Sequence, residues 1–370
     1  MKVLFTASIT KHVIRFHLPY LEWFQKQGFE THVACSGDEE IPFCDKKWEV
    51  PFVRTPYSIG HIKAYNVLKN LIDDQDYKLV HCHTPMAGIV TRLAARAARI
   101  NGTKVLYTAH GFHFFNGASL FNWFTFYPVE LYCSRLADAI IAINREDFER
   151  VSSRGFPKTA YFQIPGIGVK GERFAPAAPD EKRRLRETYG IPKDAFVLVY
   201  AAELIYRKNH HMLISAVKEL RSTGVNLLAL FAGRGELRED LESEVKKLKV
   251  EDSVKFLGFC ERIEEIYQLS DVGVSTSRQE GLGLNLIEEM MCGLPVIATD
   301  DRGHREIVED GLNGMMVPQD DAKALSSAIV TMMANQSLCT RMSSNAVATA
   351  RKFDLKEATR AMEQIYRQFI

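Results

Sequence analysis

Short apolar, β-branched runs alternate with helical patterns along the whole chain, and that alternation restricts the fold more than any other feature. In the first half the runs are KVLFTAS (2–8), ETHVACS (30–36), WEVPFV (48–53), KLVHCH (78–83), KVLYTA (104–109) and DAIIAI (138–143). Helical patterns over 15–27, 61–74 and 86–100 lie between them. The pattern restarts with FVLVYAAEL (196–204), NLLALFAG (226–233), SVKFLG (253–258), DVGVSTS (271–277) and LPVIATD (294–300). Helical stretches near 209–223, 236–249 and 283–292 separate those. Continuous apolar strands with intervening helices predict parallel sheets covered on both faces.

A chain of 370 residues exceeds one comfortable core, which predicts two domains. The stretch PGIGVKGERFAPAAPDE (165–181) interrupts the alternation and marks the linker. The expected architecture is α/β: two Rossmann-like, doubly wound parallel-sheet domains, residues 1–170 and 171–355, facing each other across a cleft. An amphipathic helix at about 356–370 is expected to pack back on the first domain. Such sheets bind ligands beyond the carboxyl ends of their strands, so the chemistry is expected in the cleft.

Composition narrows the function. Hydrophobic residues make up 46%, charged residues 25%, and the net charge is +1 with no Lys/Arg-rich run, which argues against a nucleic-acid partner. The 7 cysteines never fall in a CxxC spacing and read as thiols in a reducing compartment. The start MKVLFTASITKH lacks the pattern of a signal peptide, and no apolar run of about 18 residues spans a bilayer. The expectation is a cytoplasmic protein, with contact to the inner face of the membrane left open.

Two motifs mislead. GIGVKG (166–171) spells a dinucleotide fingerprint, but Pro165 precedes it and ERFAPAAP follows, which cannot open a helix. Asp74-Gln75-Asp76 imitates a metal-binding pair in what reads as a polar turn. His81 and His83 share one face of a strand, yet further ligands for zinc are not evident. The expectation is no metal and no cofactor.

The stretch RQEGLGLNLIEEMMCGLPVIATDD (278–301) is the most informative. Glu280 precedes a helix start flanked by glycines, and Glu288 sits on that helix. Leu282, Gly283 and Leu284 offer backbone N–H groups and a partial positive charge suited to a diphosphate. Eight helical residues span roughly 12 Å, about the reach from a sugar ring past a diphosphate to a ribose. A nucleotide-sugar fits both ends and the middle.

E280-GLGLNLI-E288 followed by EMMCGLPVIAT resembles the ExxxxxxxE signature of family-4 retaining glycosyltransferases, which have the GT-B fold. LVHCHTP (79–85), YTAHGFHFF (107–115), IIAINRED (140–147), IPGIGV (164–169), RKNH (207–210), FAGRGEL (231–237) and DRGHREIVEDGLNG (301–314) look like counterparts in order. The resemblance covers essentially the whole chain and is nearest to bacterial enzymes of capsular and exopolysaccharide synthesis.

The resemblance implies roles at the matching positions. Lys208 would neutralise the donor diphosphate, Glu280 would contact the transferred sugar, and Glu288 the ribose. His110 would lie near the sugar, and Phe259 near the nucleobase. Thr10 and His12, in the loop after the first strand, would border donor and acceptor. The family usually places an arginine five residues before the lysine, where this chain has Glu203; Arg207 is then the residue expected to supply the missing charge. The implied reaction is metal-independent retention: transfer of a sugar from a nucleotide-diphosphate donor, UDP favoured, to a saccharide acceptor, lipid-linked in surface polysaccharide synthesis. The alternatives are a UDP-sugar 2-epimerase on the same scaffold, or a non-catalytic sugar-nucleotide-binding assembly subunit.

FHFFNGASLFNWFTFY (112–127) is dense in aromatic residues. Core packing is the common cause; the alternative is an exposed lip that docks on lipid. Arg92, Arg96 and Arg99 recur on one helical face, and together with that stretch they raise the expectation of a peripheral contact with an anionic membrane.

Overall fold

The computed structural model describes residues 1–370 except 54, 56, 57, 154 and 158. The chain divides into two units, Met1–Gly168 with Lys356–Ile370, and Val169–Leu355.

The first unit holds seven parallel strands: β1 (Lys2–Ile9), β2 (Glu30–Ser36), β3 (Lys46–Glu49), β4 (Tyr77–His83), β5 (Lys104–Ala109), β6 (Ala139–Ala142) and β7 (Ala160–Gln163). They run in the order β3-β2-β1-β4-β5-β6-β7. Val3 pairs with Thr31 on one side and Leu79 on the other, so the order reverses at β1 and opens a crevice between β1 and β4. The expected 48–53 strand is displaced to β3, since Pro51 cannot donate to a ladder. The expected 15–27 helix is two helices, Thr10–Phe16 and Leu18–Lys26, because Pro19 cannot continue an established helix but suits a new first turn.

Sequence reasoning assigned no element to the helix Leu120–Ser134, whose aromatic residues are poor helix formers and which contains Pro128. The helix Leu355–Tyr366 brings Tyr366 into the first unit. There its ring lies 4.7 Å from Phe24 and 5.6 Å from Trp23, and its hydroxyl is 2.8 Å from His81 Nδ1.

The second unit repeats the plan with six parallel strands: β8 (Phe196–Ala201), β9 (Leu227–Ala232), β10 (Val254–Gly258), β11 (Val272–Ser275), β12 (Val296–Thr299) and β13 (Gly314–Val317). The order is β10-β9-β8-β11-β12-β13, which puts the reversal between β8 and β11. The interior strands are buried on both faces, as β8 shows with Val197 to Tyr200 all sealed from solvent. The GIGVKG segment follows β7 but opens no helix; Val169 bridges Asp354 and the next helix begins at Pro179. Among the described residues no helix is long and apolar enough to cross a membrane.

Candidate active site

In the second unit the two loops that flank the β8/β11 reversal carry the expected residues. The turn Tyr206–Lys208 after β8 projects Lys208, and the loop after β11 carries Glu280. The Lys208 ammonium donates to Glu280 Oε1, while Arg207 Nη1 lies 3.7 Å from Oε2. Glu280 is buried, which by itself would raise its pKa; Lys208, His304 and Arg207 outweigh that and hold the carboxyl below its ordinary value. The pair is fixed from behind. Tyr200 donates to the Lys208 carbonyl (2.7 Å), and the Glu280 amide donates to Asp301 Oδ1 (3.0 Å). A side chain at Gly303 would approach Glu280 Cβ to 2.8 Å, so only glycine fits behind the carboxylate.

The helix Leu284–Met291 starts at Gly283 with no side-chain cap, leaving its first amides to other partners. Leu282 and Gly283 are buried, and a side chain at Gly283 would press on His304 and Leu286. Glu288 is half-buried and accepts from the Tyr267 hydroxyl at 2.8 Å. Phe259 is 65% exposed beyond β10, with the Arg234 guanidinium 5.7 Å from its ring centre. Glu203 is exposed and makes no ion pair among the described residues. Its loop is locked to the glycine loop after β9, where Leu204 N donates to the Arg234 carbonyl at 3.0 Å.

The residues behind the pair escaped sequence reasoning. Asp301 and Gly303 lie in DRGHRE, which was matched as a motif but given no role. Arg278 also holds the lysine turn, donating to the Tyr206 carbonyl (2.8 Å) and Asp320 (2.7 Å). Glu289, beside Glu288, is sealed against Gly273 with Oε2 unpartnered, and burial pushes its carboxyl well above the ordinary value.

In the first unit a cluster of imidazoles occupies the β1/β4 crevice. His12 comes from the helix after β1 and His17 from the break between the first two helices. His81 and His83 come from β4, and His110 follows β5. His17 stacks on His83 with centroids 3.7 Å apart, His12 meets His110 edge-on at 4.9 Å, and His110 Nε2 lies 3.3 Å from His83 Nδ1. Burial, then the neighbouring imidazoles, hold His17, His83 and His110 well below the usual histidine value. Both ring nitrogens of His17 and Nε2 of His83 lack partners. Thr84, next to His83, sits at φ 62°, a strained position for a β-branched residue.

Ring nitrogens of His12, His17 and His110 come within 4.8 Å of one another, a grouping that could hold a metal ion. His81 is not part of it, its nitrogens being bonded to Tyr366 and Thr108. Thr10 is fully buried, and its hydroxyl donates to the Ser36 and Gly37 carbonyls (3.2 Å each); it is committed to the fold rather than presented to an acceptor.

The arginine stripe is corrected. Arg92 is fully buried and forks onto Glu130, and Arg99 pairs with Asp138, so only Arg96 is left exposed.

Comparison with known proteins gives the family of the chain. Residues 2–144 match the glycosyl transferase 4-like family model, and residues 181–349 match the model of glycosyl transferases group 1. The putative glycosyltransferase EpsD of Bacillus subtilis is 42% identical over 369 residues, covering 100% of this chain and 97% of that protein. The chain belongs to the family-4, group 1 glycosyltransferases. A second relative is the Escherichia coli UDP-Gal:alpha-D-GlcNAc-diphosphoundecaprenol alpha-1,3-galactosyltransferase, 26% identical over 86% of this glycosyltransferase and 84% of its own length. Among solved structures, Anabaena HepE in complex with UDP and glucose superposes with a TM-score of 0.79, at 22% identity and full coverage of both chains. The fold of this glycosyltransferase is therefore GT-B.

Proposed function

We propose that this glycosyltransferase moves a sugar from a UDP-sugar to a lipid-linked saccharide in bacterial surface polysaccharide synthesis, with retention at the donor carbon. The observation that carries the reading is the Lys208–Glu280 pair beside the uncapped start of the helix Leu284–Met291. Lys208 and that helix start offer fixed positive charge to a leaving diphosphate, and Arg207 adds to it. Glu280, released from Lys208 when the diphosphate takes its place, is left to accept sugar hydroxyls. Glu288, with Tyr267 beside it, is assigned to the ribose, and the exposed Phe259 ring to the base. The family resemblance assigns His110 to the sugar, and His12 to the acceptor side.

In a retaining transfer without a protein nucleophile, the departing phosphate accepts the acceptor's proton on the face it leaves. The protein then stabilises charge rather than relaying protons, and neutral histidines suit that division. No metal enters this scheme. The UDP preference and the lipid-linked acceptor draw on the reaction for which the E. coli relative is named and on the UDP bound in HepE. A peripheral membrane contact, which the lipid-linked acceptor requires, is part of the proposal.

The test is incubation with a panel of nucleotide-sugars, with and without extracted bacterial lipids. Lipid-dependent release of UDP with the sugar recovered on lipid supports the reading. A changed sugar without acceptor would instead indicate epimerisation, and nucleotide binding without either product a non-catalytic role.

A further inference from the structure

The aromatic helix Leu120–Ser134 does not close over its neighbours. Between it and the helices Gly60–Gln75 and Pro85–Ala94 lies a groove of about 470 Å³ within the first unit. Its walls are Ile62, Met86, Ile89, Leu93, Phe126 and Val129. The lining also includes His61, Tyr65 and Thr125; Thr125 bonds the Phe121 carbonyl and His61 Nε2 the Thr55 carbonyl, while His61 Nδ1 has no partner. The rim continues the apolar surface outward: Leu120, Phe121 and Phe124 are 74%, 65% and 79% exposed, and Ile62 is 62% exposed. The helix Leu120–Ser134 carries a single charged residue, Glu130, and Arg92 consumes it. A face this apolar and this free of charge marks a binding site for hydrocarbon.

Met86, in the groove wall, lies three residues past His83 at the carboxyl end of β4, where the histidine cluster gathers. We infer that it holds the first isoprene units of a polyisoprenoid chain whose diphosphate carries the acceptor saccharide. This rests on the lipid-linked acceptor proposed above. Concavity favours a flexible chain over a flat lipid surface, and among the described residues no Lys, Arg, Asp or Glu lines the groove, which favours hydrocarbon over an anionic headgroup. The exposed ring edges of Phe121 and Phe124 then meet the bilayer from which the chain emerges.

Burial of hydrocarbon favours binding by about fourfold per methylene. Calorimetry on the full chain would compare geranylgeranyl diphosphate, farnesyl diphosphate and inorganic diphosphate, each below its micelle concentration. The expected order is geranylgeranyl, then farnesyl, then inorganic diphosphate, with at least tenfold between first and last. Ile89→Trp fills the groove and should bring the isoprenoids down to the level of inorganic diphosphate, whose own affinity stays unchanged. Val129→Ser, at a 40% exposed position, removes apolar wall without disturbing the core, and should weaken the isoprenoids alone. Equal affinity for the three ligands would overturn the inference, as would unaltered isoprenoid binding by either folded variant. Sedimentation showing a dimer that Ile89→Trp abolishes would overturn it by giving the groove to a second copy. Binding needs no turnover, so intact chain-length preference with no sugar transfer to any acceptor would sink the transferase reading and leave the groove assignment standing.

Discussion

The ammonium of Lys208 sits against one carboxylate oxygen of Glu280, with the Arg207 guanidinium 3.7 Å from the other. Two cations on one buried acid is an arrangement that a diphosphate can take apart, since it offers the cations a stronger partner and frees the acid for a sugar.

Glu280→Gln should therefore lower turnover roughly 100- to 1,000-fold, the usual cost of removing one fixed charge aimed at a transition state. UDP affinity should hold or tighten, because Lys208 and Arg207 lose a competitor. Steady-state rates together with UDP calorimetry check both halves, and a matching loss of UDP binding would contradict the assignment.

Glu288→Ala should act in the opposite sense, weakening UDP about tenfold with a smaller effect on the rate of bound substrate, because the ribose hydroxyls lose their acceptor. Tyr267→Phe removes the 2.8 Å bond to Glu288 and is the control for local rearrangement. If it reproduces the whole effect, Glu288 serves the fold and not the nucleotide.

Arg92 and Glu130 are sealed from solvent and share a two-pronged bond. Glu130→Ala should cost about 3–5 kcal/mol by stranding the guanidinium, whereas replacing both partners with apolar residues should cost far less. Chemical denaturation of the single and double variants measures the difference.

His17, His83 and His110 are held neutral, with native values well below 6.5. The unfolded chain takes up protons as the pH drops through about 6.5, and the native state does not, so their contribution is complete above that pH and is lost below it. Melting temperature should fall from about pH 6.5 downward, and His17→Phe should flatten that slope. A flat profile in the parent protein down to pH 5 would contradict the neutral cluster.

Chelation should leave turnover unchanged if charge stabilisation rests on Lys208 and the helix start. Should turnover fall with chelator and metal analysis find an ion, the grouped nitrogens of His12, His17 and His110 would be its place, and the metal-independent scheme would fail.

The sheets were legible because buried parallel strands write themselves as unbroken apolar runs, as at 104–109 and 196–201. β7 and β13 were not, being four-residue edge strands with half-buried faces. Glu280 and Glu288 stood out through their spacing, and Lys208 through the family resemblance of RKNH. His17 and His83 were not given roles, because the contact between a helix break and the end of β4 is a product of topology. The support of Glu280 by Asp301 and Gly303 was hidden for the same reason: β11 and β12 must first lie side by side. Arg92 misled, since helical periodicity shows which residues share a face and not whether that face meets water.

Tyr366 anchors a helix that belongs to the first unit but is encoded after the second. On the ribosome, residues 1–168 must wait with Trp23, Phe24 and His81 uncovered while residues 169–355 emerge and fold. The order of completion is thus the reverse of the order of synthesis, and a nascent chain stopped before residue 356 would hold one finished half and one whose aromatic seam is still open.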